Sequence, residues 1–202
     1  MNSAPLIGVL AIQGAVREHI ALLEAAGAKA MPIRHAADIP KVSGIVLPGG
    51  ESTTISKLAV IDGLMEPLRE AARSDVPMYG SCAGMILLAD RILDGRPDQQ
   101  TIGGIDMTVR RNAFGRQVDS FEGGIDLEGI PGGPYPGIFI RAPWVEEIGA
   151  SIEVLGRVGS GAAEGRIVAV RDRNLMATSF HPELTGDTRV HQYFVEMVRQ
   201  TA

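Results

Sequence analysis

One thiol, one histidine with a carboxylate two residues on, and one glycine pair before a glutamate are the groups here whose types and spacing could do chemistry. The thiol is Cys82, the single cysteine of the 202 residues. It sits in Gly80-Ser81-Cys82-Ala83-Gly84, between the apolar run Val76 to Tyr79 and an apolar helix expected from about Ala83 to Ala89. A sharp strand-to-helix turn with a nucleophile at its tip needs small neighbours, and glycines two residues either side provide them. Such a turn sets the sulfur at a helix N-terminus, where backbone N–H groups and the dipole favour a thiolate. A buried core cysteine is the competing reading, which Gly-x-Cys-x-Gly alone leaves open. The histidine is His181, in Ser179-Phe180-His181-Pro182-Glu183. A cysteine nucleophile needs a general base, and the base needs an orienting group. Residues two apart on extended chain point to one side, so Glu183 could bond one imidazole nitrogen while the other faces Cys82. His19 and His191 fall on expected helices and His35 in a loop, and these three read as ordinary core or surface histidines. In Pro48-Gly49-Gly50-Glu51 the glycines let backbone N–H groups turn toward a ligand and hold an oxyanion. An ordinary strand-to-helix turn would use the same residues.

The elements that must position these groups follow from periodicity. Leu6 to Ile12, Ala28 to Ile33, Ile45 to Leu47 and Val76 to Tyr79 read as strands. They are short apolar runs, as in a sheet buried on both faces. Helical stripes lie between them at Ala15 to Ala26, Thr54 to Ala59 and Leu64 to Ala72. Gly27 suits the stop of the first. Strand and helix thus alternate, which predicts a parallel sheet with helices on both faces. Ligands of such sheets bind beyond the carboxyl ends of the strands, where Gln13-Gly14, the glycine pair and the Cys82 turn all fall. After Asp90 the texture changes. Asp94 to Gly104 reads as a loop. Met107 to Arg110, Val118 to Phe121, Ile138 to Ile140, Ile152 to Val158, Ile167 to Arg171 and Leu175 to Phe180 read as strands. Arg171 to Asn174 reads as a hairpin turn. Val190, Tyr193, Phe194, Met197 and Val198 form one face of a last helix, with Asp187 or Thr188 as its cap. The expectation is a single α/β domain over residues 1–202. Its form is a flavodoxin-like three-layer open sheet, with a parallel core and antiparallel strands in the C-terminal half.

Composition narrows the function classes. The net charge of −5 gives no basic footprint for nucleic acid. The 45% hydrophobic content supports a sizeable core. One cysteine leaves no internal disulfide and suits a reducing compartment. No basic n-region opens the chain, and no apolar stretch approaches the roughly 18 residues that span a bilayer. A cytoplasmic protein without membrane contact is expected.

Pro-Gly-Gly, Gly-x-Cys-x-Gly and His-Pro-Glu, in this order, resemble the class I (triad) glutamine amidotransferases. Leu10-Ala11-Ile12-Gln13-Gly14-Ala15-Val16-Arg17-Glu18-His19, Leu47 to Thr54, Arg111 to Gln117 and Phe139 to Pro143 narrow the resemblance to one branch. That branch is the glutaminase subunit family of pyridoxal 5′-phosphate synthases, and the likeness spans nearly the whole chain. The resemblance implies a catalytic triad of Cys82 as nucleophile, His181 as base and then acid, and Glu183 as orienter. It implies that Gly49, Gly50 and Glu51 line the glutamine and oxyanion site. Arg111, Ile140 and Arg141 match positions that contact bound glutamine, and a guanidinium suits an α-carboxylate; sequence alone would leave both arginines as solvated surface charges. The expected reaction is hydrolysis of L-glutamine to glutamate and ammonia through a γ-glutamyl thioester. The ammonia passes to a separate synthase subunit, so a complex of both subunits is expected, with no cofactor and no metal in this chain. A family glutaminase is completed on docking, which places Gln13 to Arg17 at the synthase contact, biasing a reorienting Gly49-Gly50 peptide. Ser81 stands where the family would suggest Thr, and Gly132-Gly133-Pro134 lengthens a loop. Two rivals remain. A cysteine hydrolase of the deglycase type has His directly after the cysteine, whereas Ala83 follows Cys82. A non-catalytic binding module would lack a triad member, and all three are present.

Overall fold

The computed structural model describes residues 4–114, 120–161 and 163–201. Five strands build its parallel core: β1 (Leu6–Leu10), β2 (Lys29–Ile33), β3 (Gly44–Leu47), β4 (Met78–Ser81) and, late in the chain, β12 (Leu175–Thr178). They lie side by side in the order β2-β1-β3-β4-β12, every neighbouring pair parallel. This is the flavodoxin-like order, with the direction of winding reversing between β1 and β3. The chain continues the sheet through β11 (Ile167–Asp172), β9 (Trp144–Ile148), β6 (Ile105–Arg110) and β5 (Ala89–Leu93). β12–β11, β11–β9 and β9–β6 are antiparallel, and β10 (Glu153–Arg157) pairs β11 from off this path. A separate ribbon joins β7 (Ser120–Ile125) to β8 (Tyr135–Ile140).

Helices cover both faces. α1 (Val16–Ala25) and α5 (Arg189–Thr201) pack on one side, where Leu23, Val190, Phe194 and Val198 meet Val9, Val46 and Tyr79. α2 (Ser52–Ile61), α3 (Met65–Arg73) and α4 (Ala83–Leu88) pack on the other, where Ile55, Leu68 and Met85 meet Ile45, Leu47 and Met78. The core strands are buried on both faces, which is why they read as continuous apolar runs rather than alternating ones.

Several boundaries differ from the sequence expectation for local reasons. β4 begins at Met78, not Val76, because the Val76 N–H closes the end of α3 on Ala71 O and Pro77 has no N–H to give. It runs on to Ser81, paired with Thr178 and leading straight to Cys82. β12 stops at Thr178, short of Phe180. Beyond it the Ser179 N–H turns to Val168 O and the His181 N–H to Ile138 O. α4 ends at Leu88, since Ala89 already belongs to β5. β5 and β9 lie outside the sequence expectation; their mixed polar and apolar residues suit strands with one wetted face and carry weak signals. The strand expected at Val118 to Phe121 begins outside the described residues, as does much of Arg111 to Gln117. The hairpin turn falls at Arg173-Asn174, with Arg173 at φ +51°. Gly132 and Gly133, both at positive φ, lie in the β7–β8 connection, which Arg189 ties to α5 through the Pro131 and Gly133 carbonyls.

Candidate active site

The carboxyl ends of β1, β3, β4 and β12 converge on one cleft of about 540 Å³. Its lining includes Gln13, Gly50, Glu51, Cys82, Arg111 and His181. Cys82 sits at its floor, 7% exposed, as the residue before α4. Its φ of +48° and ψ of −98° are strained for a residue with a side chain. The strain is held by the sheet: the Cys82 N–H is bonded to Thr178 O at 2.8 Å. The flanking glycines show why the turn can be this tight. A Cβ on Gly80 would stand 2.4 Å from the Gly84 backbone, and one on Gly84 would stand 2.2 Å from Leu47 O. No side chain fits either place. Ala83 carries the first N–H of α4, a donor with no carbonyl one turn back to receive it.

His181 arrives from the end of β12, and Pro182 then opens a short 3-10 turn, Pro182–Leu184. Within this turn the chain folds back, so His181 Nδ1 meets Glu183 Oε1 at 2.7 Å. The other ring nitrogen is left for Cys82. Burial alone would lower the His181 pKa. The hydrogen bonds to Cys82 and Glu183 and their negative charges outweigh it, and the value is pushed up to about 10. Glu183 is itself buried, which favours its neutral form, yet His181 and His19 hold its pKa below the ordinary value.

Gly49 packs against His181. A Cβ there would lie 2.6 Å from His181 Cε1 and 3.1 Å from Glu183 Oε1, so only glycine lets the ring sit flat against the backbone. The Gly49 carbonyl accepts the Ala15 N–H at 3.1 Å, and Gln13 Oε1 accepts the Glu51 N–H at 2.9 Å. The β1 loop thus grips the glycine pair from two sides. Arg17 follows, exposed on α1. Glu51 is the N-cap of α2: its oxygens accept the Thr53 and Thr54 N–H groups. Burial raises its pKa, but the Thr53 and Thr54 hydrogen bonds prevail and bring it to about 2. Arg111 pairs with Glu51 at 3.2 Å and with Gln99 at 3.1 Å, and its buried Nε has no hydrogen-bond partner among the described residues. Ile140 and Arg141 close the rim at the end of β8, with Arg141 at φ +43°. Of the residues expected at the site from sequence, Gln13, Gly50, Glu51, Cys82, Arg111, Ile140, Arg141 and His181 line this cleft, Gly49 and Glu183 lie against His181 without lining it, and Arg17 is an exposed residue of α1.

Comparison with known proteins is unambiguous. The SNO glutamine amidotransferase family matches residues 9–200. The chain belongs to that family. Its relatives include the pyridoxal 5′-phosphate synthase subunit PdxT of Kineococcus radiotolerans, 64% identical over 98% of this chain and 97% of that one. The protein of that name from Salinispora arenicola is 61% identical over 98% of each. A crystal structure titled glutamine amidotransferase, 42% identical, superposes with a TM-score of 0.87 over 96% of this chain and 98% of that one.

This SNO-family amidotransferase also holds site residues that the sequence reading passed over. His19 and His191, read as ordinary histidines, are fully buried and adjacent to the triad: His19 Nε2 stands 3.5 Å from Glu183 Oε2. The available signal was position, since each sits on the apolar face of its helix, beside Val16 and Leu23 or Phe194 and Val195. Gln99, within the stretch whose sequence reads as a loop, joins Arg111 to Ser52 on α2. Among the described residues no group of three or more His, Cys, Asp or Glu is placed to hold a metal ion. No helix among them is long and apolar enough to cross a membrane.

Proposed function

We propose that this chain is the glutaminase subunit of a pyridoxal 5′-phosphate synthase. It hydrolyses L-glutamine and hands the ammonia to a synthase subunit that makes the product. The observation that carries the reading is the His181–Glu183 contact at 2.7 Å, with Cys82 and His181 lining one cleft, in a chain of the amidotransferase family. Cys82 attacks the side-chain amide carbon of glutamine. Negative charge then develops on the amide oxygen, where the Ala83 N–H and a donor from the Gly49-Gly50 segment stabilise it. The His181 imidazolium gives its proton to the departing nitrogen, and ammonia leaves. The neutral ring next removes a proton from water, which opens the γ-glutamyl thioester and releases glutamate. Glu183 keeps Nδ1 of the ring protonated throughout, so the second nitrogen is the one that exchanges protons. Arg111, fixed by Glu51 and Gln99, presents its Nε toward the substrate carboxylate, with Arg141 and Ile140 at the rim.

The proposal extends to the partner. Residues 1–202 act as one glutaminase domain in the cytoplasm, and the synthase docks near Gln13 and Arg17. The Gly49 carbonyl rests on Ala15 and the Glu51 N–H on Gln13, so pressure on the β1 loop reaches the glycine pair through two hydrogen bonds. The direct test is ammonia release from glutamine, with and without the synthase. Release together with labelling of Cys82 by a glutamine analogue supports the assignment; no release under either condition overturns it.

A further inference from the structure

Behind Glu183, on the side away from His181, lies a buried polar chain that the proposed chemistry does not touch. His19 on α1, His191 on α5 and Ser81 at the end of β4 have no exposed surface. His19 Nε2 lies 3.0 Å from Ser81 Oγ and 3.5 Å from Glu183 Oε2, while His19 Nδ1 lies 2.9 Å from His191 Nε2. Buried polar groups cost stability unless bonded, so three elements converging on this point is a built arrangement rather than filler. The titratable groups around His19 are Glu183 and His181 beyond β12, Tyr79 on β4, His191 on α5 and Glu18 on α1 itself. Burial, the largest influence, lowers the pKa of His19 against the pull of Glu183, and burial also lowers that of His191. Both rings are neutral near pH 7.

Two neutral rings in contact share one proton across the Nδ1···Nε2 line, and only two arrangements exist. In one, His19 Nδ1–H donates to His191. The proton of His191 then sits on Nδ1, which has no partner among the described residues, and a bare His19 Nε2 faces a carboxylate oxygen. In the other, His191 Nε2–H donates to His19, and His19 Nε2–H points at Ser81 Oγ and Glu183 Oε2. The second leaves no ring N–H unmet, and it faces a proton to Glu183 Oε2, a carboxylate oxygen with no hydrogen-bond partner among the described residues.

We propose that His19, with its tautomer set by His191, is a positioning residue: its Nε2–H steers the Glu183 carboxylate so that Oε1 stays on His181 Nδ1. This rests on the triad reading above. Loss of the steering proton lets the carboxylate turn and weakens the hold on protonated His181, the acid that gives its proton to the departing nitrogen.

The test uses the full chain assembled with its synthase subunit. His19→Leu lowers kcat for glutamine hydrolysis about 10- to 100-fold, the scale seen when an outer partner orienting a reacting group is lost. KM stays within about twofold, because His19 does not line the substrate cleft. The NMR titration midpoint of the His181 ring, pushed up to about 10 in the wild-type protein, falls. His19→Gln, whose amide NH₂ reaches the same place, restores most of kcat. If His19→Leu does not fold, His191→Phe serves: it frees the His19 tautomer, and kcat falls at constant KM. Wild-type kcat in these variants, or an equal loss in His19→Gln, overturns the inference. Failure of the wild-type protein to release ammonia instead overturns the triad reading on which it stands.

Discussion

At the scale of the residue, the sulfur, ring and carboxylate depend on one another, and each can be removed separately. Cys82→Ala leaves nothing to form the thioester, so glutamine hydrolysis falls by several orders of magnitude while the fold and synthase binding remain. Synthesis from added ammonia should persist in that complex, since that chemistry belongs to the partner. Measurable glutamine turnover by pure Cys82→Ala would remove Cys82 from its role. Glu183→Gln presents an NH₂ or a weaker acceptor to His181 Nδ1 and favours the wrong tautomer, so turnover slows while Cys82 stays available to alkylation. Turnover equal to wild type would make Glu183 structural only. The raised pKa of His181 has its own readout. In the folded protein the ring keeps its proton until the pH passes about 10, against about 6.5 for an ordinary histidine. An NMR titration of the ring should find this high midpoint, and in Cys82→Ala it should drop, because one hydrogen bond and one negative charge are gone. A midpoint near 6.5 in the wild-type protein would mean that the contacts do not hold the proton.

At the scale of the element, the site depends on how closely β3, β4 and α4 approach. Gly84→Ala places a Cβ against Leu47 O at 2.2 Å, and both groups are backbone in the middle of the core. Neither can swing away as a side chain would, so α4 must lift off β3. The expected cost is about 1–3 kcal/mol or more of stability, as in other overpacked cores, together with loss of activity as Cys82 moves with the helix. Denaturant unfolding with unchanged midpoint would show that the turn is looser than its geometry. Val16, His19 and Leu23 on α1, and His191, Phe194 and Val195 on α5, show the same principle more gently. Each helix buries an apolar face, and within it His19 is bonded to His191 of the neighbouring helix and to Ser81 at the end of β4.

At the scale of the whole molecule, the open question is control. A glutaminase running without its partner would release ammonia into water. The Gly49 carbonyl accepts from Ala15 and Gln13 accepts from Glu51, so under the proposed docking the β1 loop would bear on the glycine pair. Withholding one such donor costs about 10²–10³ in rate. Titrating the synthase into the glutaminase should therefore raise turnover strongly, and Gln13→Ala should blunt that rise more than it changes the free protein. A high rate without synthase, unchanged at saturation, would refute control by docking and leave the triad untouched.

The sequence by itself determined the parallel core, the strand-to-helix turn at Cys82, and the pairing of His181 with Glu183. Each rests on neighbours in the chain: apolar runs of strand length, glycines two residues from a cysteine, and a carboxylate two residues from a histidine. The motifs from Leu10 to Pro143 also carried the family. What lay beyond reach was whatever depends on residues far apart in sequence meeting at one point. That β12 pairs with β4, bringing Thr178 beside Ser81, decides that His181 reaches Cys82 at all. That α1 and α5 pack side by side decides that His19 and His191 are bonded to each other. Periodicity can show a histidine on an apolar face, because burial follows from the helix repeat. It cannot show which group waits on the other side, since that is set by the order of strands in the sheet, and only the tertiary structure decides it.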